Sequence, residues 1–317
     1  MKAEQLIKTA INIVGFPFTI TNALLNKMRY VAEVGQKIKV NDRDIHTIVS
    51  GGEHADVTVI FEAGMSCCSL DWHYIQPKVS EFARTVSFDR AGYGWSSASQ
   101  GAYTSEDVVS DLKQILKELN IKPPYVLVGH SFGGLTMRLF ASKFPKEVAS
   151  LLLIDPVHEN RYLSSEWDTN RKQAHRKNLN MFRFGYLTSG IGLPKLLKHP
   201  VGRRNLPEPY GEHATYIGYH PKSYESVYKE LLYSEFSARQ VKNADPLSEE
   251  LPVTIISSNN TDPTWVEHQN LLANLTKQTK QIKTTNNHSI HLENPDIIIR
   301  TIKELIDNDK KITISEG

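Results

Sequence analysis

The most constraining stretch of this chain is YVLVGHSFGGLTMRLFASKFP, from Tyr125 to Pro145. It opens as a continuous apolar run, passes through Gly129, and turns into helical spacing with no loop between. One polar residue, Ser131, stands at the pivot between Gly129 and Gly133. A strand that becomes a helix so abruptly is an expensive hinge unless the serine hydroxyl is wanted exposed.

The rest of the chain repeats the strand-to-helix alternation. QKIKV and DIHTIVSGG alternate in polarity and end in a glycine turn, which predicts an antiparallel hairpin. VTVIFEAG is a continuous apolar run, as expected of a strand covered on both faces. WHYIQPKVSEFA predicts a helix with Pro77 near its start, and TVSFD a further strand. TSEDVVSDLKQILKELN is a helix with a capping-box spacing at Thr104 and Asp107, and with Val108, Leu112, Ile115, Leu116 and Leu119 on one face. After the strand SLLLID the alternation stops. It resumes near residue 251 with LPVTIIS, TWVEHQNLLANLT, KQIKTT and NPDIIIRTIKELI. This order predicts a mostly parallel, twisted α/β sheet with helices on both faces and right-handed crossovers. Residues 31–156 and 251–317 would form the core and residues 157–250 a helical cap, since insertions of that size are usually functional lids.

Residues 1–30 form a separate segment. From Thr9 to Asn26 no charge occurs, with Lys8 and Lys27 on the flanks. The length touches the lower limit for a membrane span, yet Asn12, Asn22, Asn26, Thr19, Thr21 and Pro17 interrupt it. A helix lying on a membrane surface or docked on the protein suits this composition, giving peripheral membrane contact through residues 9–26. An anchor and a cleaved signal are the other readings, although no small-residue cleavage site follows.

Of 317 residues, 40% are hydrophobic and 23% charged, and the formal net charge is +2. That balance, without a basic stripe, argues against nucleic-acid binding. Two adjacent cysteines, Cys67 and Cys68, build no disulfide framework, so no oxidising compartment is required and a cytoplasmic location is expected. They read as packing residues. No metal or dinucleotide motif appears, and no cofactor is expected. Oligomeric state leaves no mark in the sequence.

Gly129-His130-Ser131-Phe132-Gly133 has the G-x-S-x-G spacing of a nucleophile elbow. Crowding at the turn excludes side chains at the two glycines. The strained serine is lifted above the sheet, and the helix N-terminus behind it stabilises developing negative charge. A serine needs a base. His288, in TNNHSIHLENPD after the final strand, suits the last member of a triad in the order Ser, Asp, His. His291 is its rival and reads better as structural, as does His130, whose side chain points away from Ser131 on a tight turn.

With these residues in view, the chain resembles the α/β-hydrolase superfamily from about Glu33 to Asn308. The blocks that carry the resemblance are EAGMSCCSLDW, SFDRAGYGWSS, GHSFGG and NHSIHLENPD. It implies backbone oxyanion donors at Met65, after Gly64, and at Phe132, after the serine. The usual His-Gly pair is Ala63-Gly64 here, which keeps the glycine. Asp89 and Ser96 match a site-shaping loop that does not react. Dehalogenases and epoxide hydrolases of the superfamily use an aspartate nucleophile, whereas position 131 is serine. The acid has two candidates. Asp262, in the polar loop after the strand that follows the cap, is where the superfamily usually keeps it, and no other Asp or Glu intervenes before Glu267. Asp155, at the end of SLLLID, serves in some members. Asp262 is the favoured acid.

The expectation is a serine carboxylesterase acting on a small-molecule ester with an apolar acyl part. Trp167, Phe182, Phe184, Tyr186, Tyr216, Tyr219 and Tyr224 would supply the apolar lining of the cap. An amide or peptide hydrolase, a lactonase and a receptor that only binds its ligand are the alternatives.

Overall fold

The computed structural model describes residues 2–29, 31–52, 56–202 and 206–315, with side chains described through residue 308. Met1 and Tyr30, the ends of the N-terminal segment, lie outside the described residues. Two helices, α1 (Lys2–Val14) and α2 (Phe16–Met28), precede the sheet. The strands are β1 (Gln36–Val40), β2 (Arg43–Ser50), β3 (Thr58–Glu62), β4 (Arg84–Phe88), β5 (Tyr125–His130), β6 (Val148–Ile154), β7 (Val253–Ser257) and β8 (Thr279–Lys283). They form one sheet in the order β1-β2-β4-β3-β5-β6-β7-β8. The first two pairings are antiparallel, Val40 opposite Arg43 and Thr47 opposite Phe88, and every later pairing is parallel.

Between β3 and β6 the chain forms α3 (Gln76–Val79), α4 (Ser105–Glu118) and α5 (Phe132–Lys143). Strand alternation separates two cores. Leu127, Leu151, Leu153 and Ile255 face the side covered by α4 and α5. Val126, Val128, Leu152 and Ile154 face Val79 of α3 and Ile298 and Ile302 of the C-terminal helix. The capping box of α4 is in place, the Thr104 N–H donating to Asp107 Oδ2 at 2.7 Å. The helix expected over WHYIQPKVSEFA is cut short. Ser69–Trp72 is a single 3₁₀ turn, and α3 spans only Gln76–Val79. The reason is pinning of the preceding loop: Ser69 N–H donates to Asp89 Oδ1 at 2.7 Å, and His291 holds Asp71 at 3.3 Å.

The segment between β6 and β7 leaves the sheet and forms α6 (Thr169–Thr188), α7 (Leu193–Leu196), α8 (Tyr210–Gly218), α9 (Pro221–Leu232) and α10 (Ser234–Lys242). It has its own small core of Tyr186, Leu187 and Tyr228, against which Ile11 of α1 packs. The chain ends with α11 (Pro263–Leu272), α12 (Ile290–Glu293) and α13 (Pro295–Ser315).

Candidate active site

Ser131 sits between β5 and α5 with φ 52° and ψ −117°, a left-handed conformation that costs a non-glycine residue of order 1–3 kcal/mol. The turn is held from both sides: Ser131 N–H donates to Ile154 O at 3.0 Å, and Val157 N–H donates to Ser131 O at 3.1 Å. The flanking glycines are required by space. A Cβ on Gly129 would stand 2.6 Å from the Gly134 Cα, and one on Gly133 would stand 2.4 Å from the Glu62 carbonyl oxygen.

His288 comes to the serine from the loop after β8. Its Nε2 lies 3.0 Å from Ser131 Oγ, and its Nδ1 lies 2.6 Å from Asp155 Oδ2. An ionised Asp155 fixes the tautomer: Nδ1–H donates to the carboxylate, and Nε2 is left to accept the serine proton. Asp155 is fully buried at the end of β6, with φ 39°. Its other oxygen accepts from Ser258 N–H at 3.0 Å and from the Trp265 indole N–H at 3.2 Å. Three donors therefore compensate the buried charge.

This geometry corrects the choice of acid. Asp262, favoured from the sequence, is exposed and spends its carboxylate on the N-terminus of α11, accepting from Trp265 N–H at 2.9 Å. The second candidate, Asp155, holds the histidine. Asp262 still contributes at one remove, since the cap fixes the first turn that carries the Trp265 indole. Sequence reasoning missed Trp265; its only signal is its place three residues after a capping aspartate.

The other histidines take separate places. His130 Nε2–H donates to the His288 carbonyl at 3.0 Å and so holds the backbone of the base. His291 is fully buried against Asp71 and packs tilted against His130, with 4.2 Å between ring centroids. Asp89 accepts from Ser69 and Trp95 N–H and from His46 Nδ1, while Ser96 Oγ–H donates to the Asp89 carbonyl. Both knit the neighbouring loop together. Cys67 and Cys68 are unbridged, and burial pushes the Cys68 thiol up.

Gly64 packs against the elbow: a Cβ there would stand 3.2 Å from Ser131 Cβ. Met65 thus follows directly on a backbone in contact with the serine. Phe132 opens α5, where the first N–H groups have no acceptor within the helix. A second device missed in the sequence clamps this loop. Arg90 donates to the carbonyls of Ala63 and Gly64 at 2.7 Å each, and it pairs with Glu62 and with Glu230 of α9. Glu230 also accepts from Ser66 N–H at 3.3 Å and from the Tyr93 hydroxyl at 2.6 Å. Burial, opposed by Arg90, pushes Glu62 up to about 7. Phe182, Phe184 and Tyr224 line a cavity of about 340 Å³ that reaches Ser66, whereas Tyr186 is packed inside the insert. Among the described residues no cluster of His, Cys, Asp and Glu could hold a metal ion.

Comparison with known proteins agrees with this architecture. The uncharacterized protein YqjL of Bacillus subtilis is 34% identical over 101 residues, 32% of this chain and 40% of its own length. A 2-hydroxy-6-oxo-2,4-heptadienoate hydrolase of Pseudomonas putida is 28% identical over 130 residues, 40% of this chain and 46% of that enzyme. The chain thus spans less than half the length of either relative. A haloalkane dehalogenase DbeA variant from Bradyrhizobium elkanii superposes with a TM-score of 0.67 at 17% identity, covering 89% of this chain and 99% of that one. The epoxide hydrolase CorEH superposes equally well, at 0.67 and 15% identity over 87% and 99%. Such identities speak for the fold alone. Residues 57–295 match the family described as the alpha/beta hydrolase fold, and the chain belongs to that family.

Proposed function

We propose that the protein is a serine hydrolase that cleaves a carboxylic ester through an acyl-enzyme. One observation carries the reading: a single imidazole, His288, is hydrogen-bonded to Asp155 on one side and to Ser131 on the other. Ser131 Oγ attacks the carbonyl carbon as its proton passes to His288 Nε2. The carbonyl electron pair moves onto oxygen, where the N–H groups of Phe132 and Met65 receive the negative charge. Collapse expels the alkoxide, which takes the proton from His288 and leaves as the alcohol. Water then gives its proton to His288, attacks the acyl carbon, and releases the acid as Ser131 regains its hydrogen.

Asp155 stays ionised throughout and stabilises the transient imidazolium. Residues 157–250 act as the cap, with Phe182, Phe184 and Tyr224 against the acyl part. A serine at 131 separates this chemistry from attack by an aspartate.

Fluorophosphonate labelling followed by mass spectrometry tests the assignment. The label is expected on Ser131, and Ser131→Ala is expected to abolish it with the fold intact. Labelling that persists elsewhere overturns it. A panel of p-nitrophenyl esters against aminoacyl anilides and lactones then tests bond preference, with esters expected to turn over fastest.

A further inference from the structure

The two N-terminal helices carry their polarity the wrong way round. A helix lying on a protein in water turns its apolar face inward and its polar face to solvent. The buried residues of α2 are Asn22 and Asn26, whereas Phe16, Phe18 and Leu24 are exposed, Phe18 to 68% and Met28 to 81%. In α1, Glu4, Lys8 and Asn12 turn inward, and Leu6, Ile7, Ile13 and Val14 form an exposed stripe.

The inward polar face is fastened. Glu4 pairs with Arg183 at 2.9 Å and Lys8 with Glu225 at 3.2 Å. Asn22 Nδ2–H donates to the carbonyls of Ser189 and Gly190, and Lys195 donates to Asn26 Oδ1 at 3.0 Å. The helices are held in register with their apolar sides facing out.

The exposed apolar surface continues on the elements they touch. Met181 and Phe184 of α6, Leu196 of α7 and Leu197 just after it are each at least half exposed. Met181, Phe184 and Leu197 also line the 340 Å³ cavity, whose inner wall includes Ser66 of the loop beside Ser131. That volume falls at the small end of the range for ligand sites, about 300–1,000 Å³.

We propose that this face rests on an anionic lipid bilayer, and that the cavity takes the acyl chain of an ester drawn from that surface. The second half rests on the serine-hydrolase reading; the docking half does not. Charge selects a bilayer over a second copy of the chain. Lys2, Lys27, Arg29 and Lys198 are exposed on these elements, while Glu4, the sole acidic residue among the first thirty, is taken up by Arg183. Exposed apolar residues rimmed by cations fit the headgroup boundary of an anionic leaflet. Among the described residues no helix is long and apolar enough to cross a membrane, so the pair lies in the interface.

Flotation of the full chain with phosphatidylcholine vesicles, with and without phosphatidylserine, tests the docking. The wild type is expected to float, more completely with phosphatidylserine. The double variant Val14→Asp/Phe18→Asp is expected to lose at least about tenfold in partition while turning over soluble p-nitrophenyl acetate normally. A wild type that floats with neither vesicle overturns the proposal. So does self-association that the double variant abolishes, which would make the face a contact between copies.

Leu197→Trp, at the cavity mouth, is expected to lower kcat/KM for p-nitrophenyl decanoate about tenfold or more relative to the acetate. Equal loss on both esters overturns the acyl-chain assignment. Ser131→Ala separates the two readings, because it should float like the wild type. Flotation without any fluorophosphonate label on the wild type would end the hydrolase reading and leave the docking standing.

Discussion

Helices α5 and α2 are almost the same length, and they meet their surroundings in opposite ways. Ten of the twelve residues of α5 are buried, from Phe132 to Ala141. Two of the thirteen residues of α2 are buried, and both are asparagines. Burial of α5 is hydrophobic and roughly proportional to area. Attachment of α2 consists of directional bonds to the Ser189 and Gly190 carbonyls and to Lys195. The contrast shows that being helical and apolar does not decide where a segment packs; which face carries the hydrogen-bonding groups does.

The sharpest break in this comparison is at the Ser131 end of α5. Asp155→Asn is expected to lower ester turnover by roughly 10⁴ with the fold kept, because the imidazole loses its orienting carboxylate. Asp262→Ala should leave turnover within a few-fold and cost about 1 kcal/mol of stability through the lost helix cap. Kinetics with circular dichroism on both variants checks the pair, and the reverse ranking would return the acid to Asp262.

Within the body of the two helices the effect moves from rate to stability. Leu139→Ala, in the α5 core, is expected to cost about 2–5 kcal/mol in urea unfolding. Phe18→Ala removes a larger side chain and should cost less than about 0.5 kcal/mol, since it is exposed.

The inversion makes a narrower prediction. Asn22→Ala should loosen the N-terminal pair more than Phe18→Ala does, by about 1–3 kcal/mol, because it removes two hydrogen bonds, to the buried Ser189 carbonyl and the half-buried Gly190 carbonyl. Hydrogen exchange across residues 2–29 would report it, and equal protection in the two variants would refute the polar attachment.

The last effect concerns pH. Folded Glu62 keeps its proton up to about 7, well above its ordinary value of 4.5. Between these values the folded state binds a proton that the unfolded state has released, so this group makes stability fall as pH rises through the window. Glu62→Gln should flatten that slope in unfolding curves taken at about pH 5 and about pH 8.

Much of the architecture could be read in the sequence because period and punctuation agree in the core. The β1–β2 hairpin, the capping box at Thr104 and the elbow at Ser131 each combine local propensity with a specific residue. The acid could not be read so directly. Asp155 and Asp262 both follow a strand and stand directly before a proline, and what separates them is the reach of His288 across the sheet, a tertiary distance. Arg90 was equally silent: it sits in a loop, and its partners Glu62 and Glu230 lie far from one another in the sequence, on β3 and α9. The N-terminal segment showed its lack of charge but not its orientation, since Asn22 and Asn26 declare their facing only once Ser189, Gly190 and Lys195 are in position.

Arg90 also ties a helix of the insertion to the loop beside Ser131. One guanidinium joins the Ala63 and Gly64 carbonyls to Glu230 on α9, and Glu230 reaches back to Ser66. Swinging α9 away would take one of the two carboxylate partners from Arg90 and leave Glu62 and the two carbonyls to hold the guanidinium. A displacement of α9 would therefore be felt at Gly64 and Ser66, the backbone that packs against Ser131.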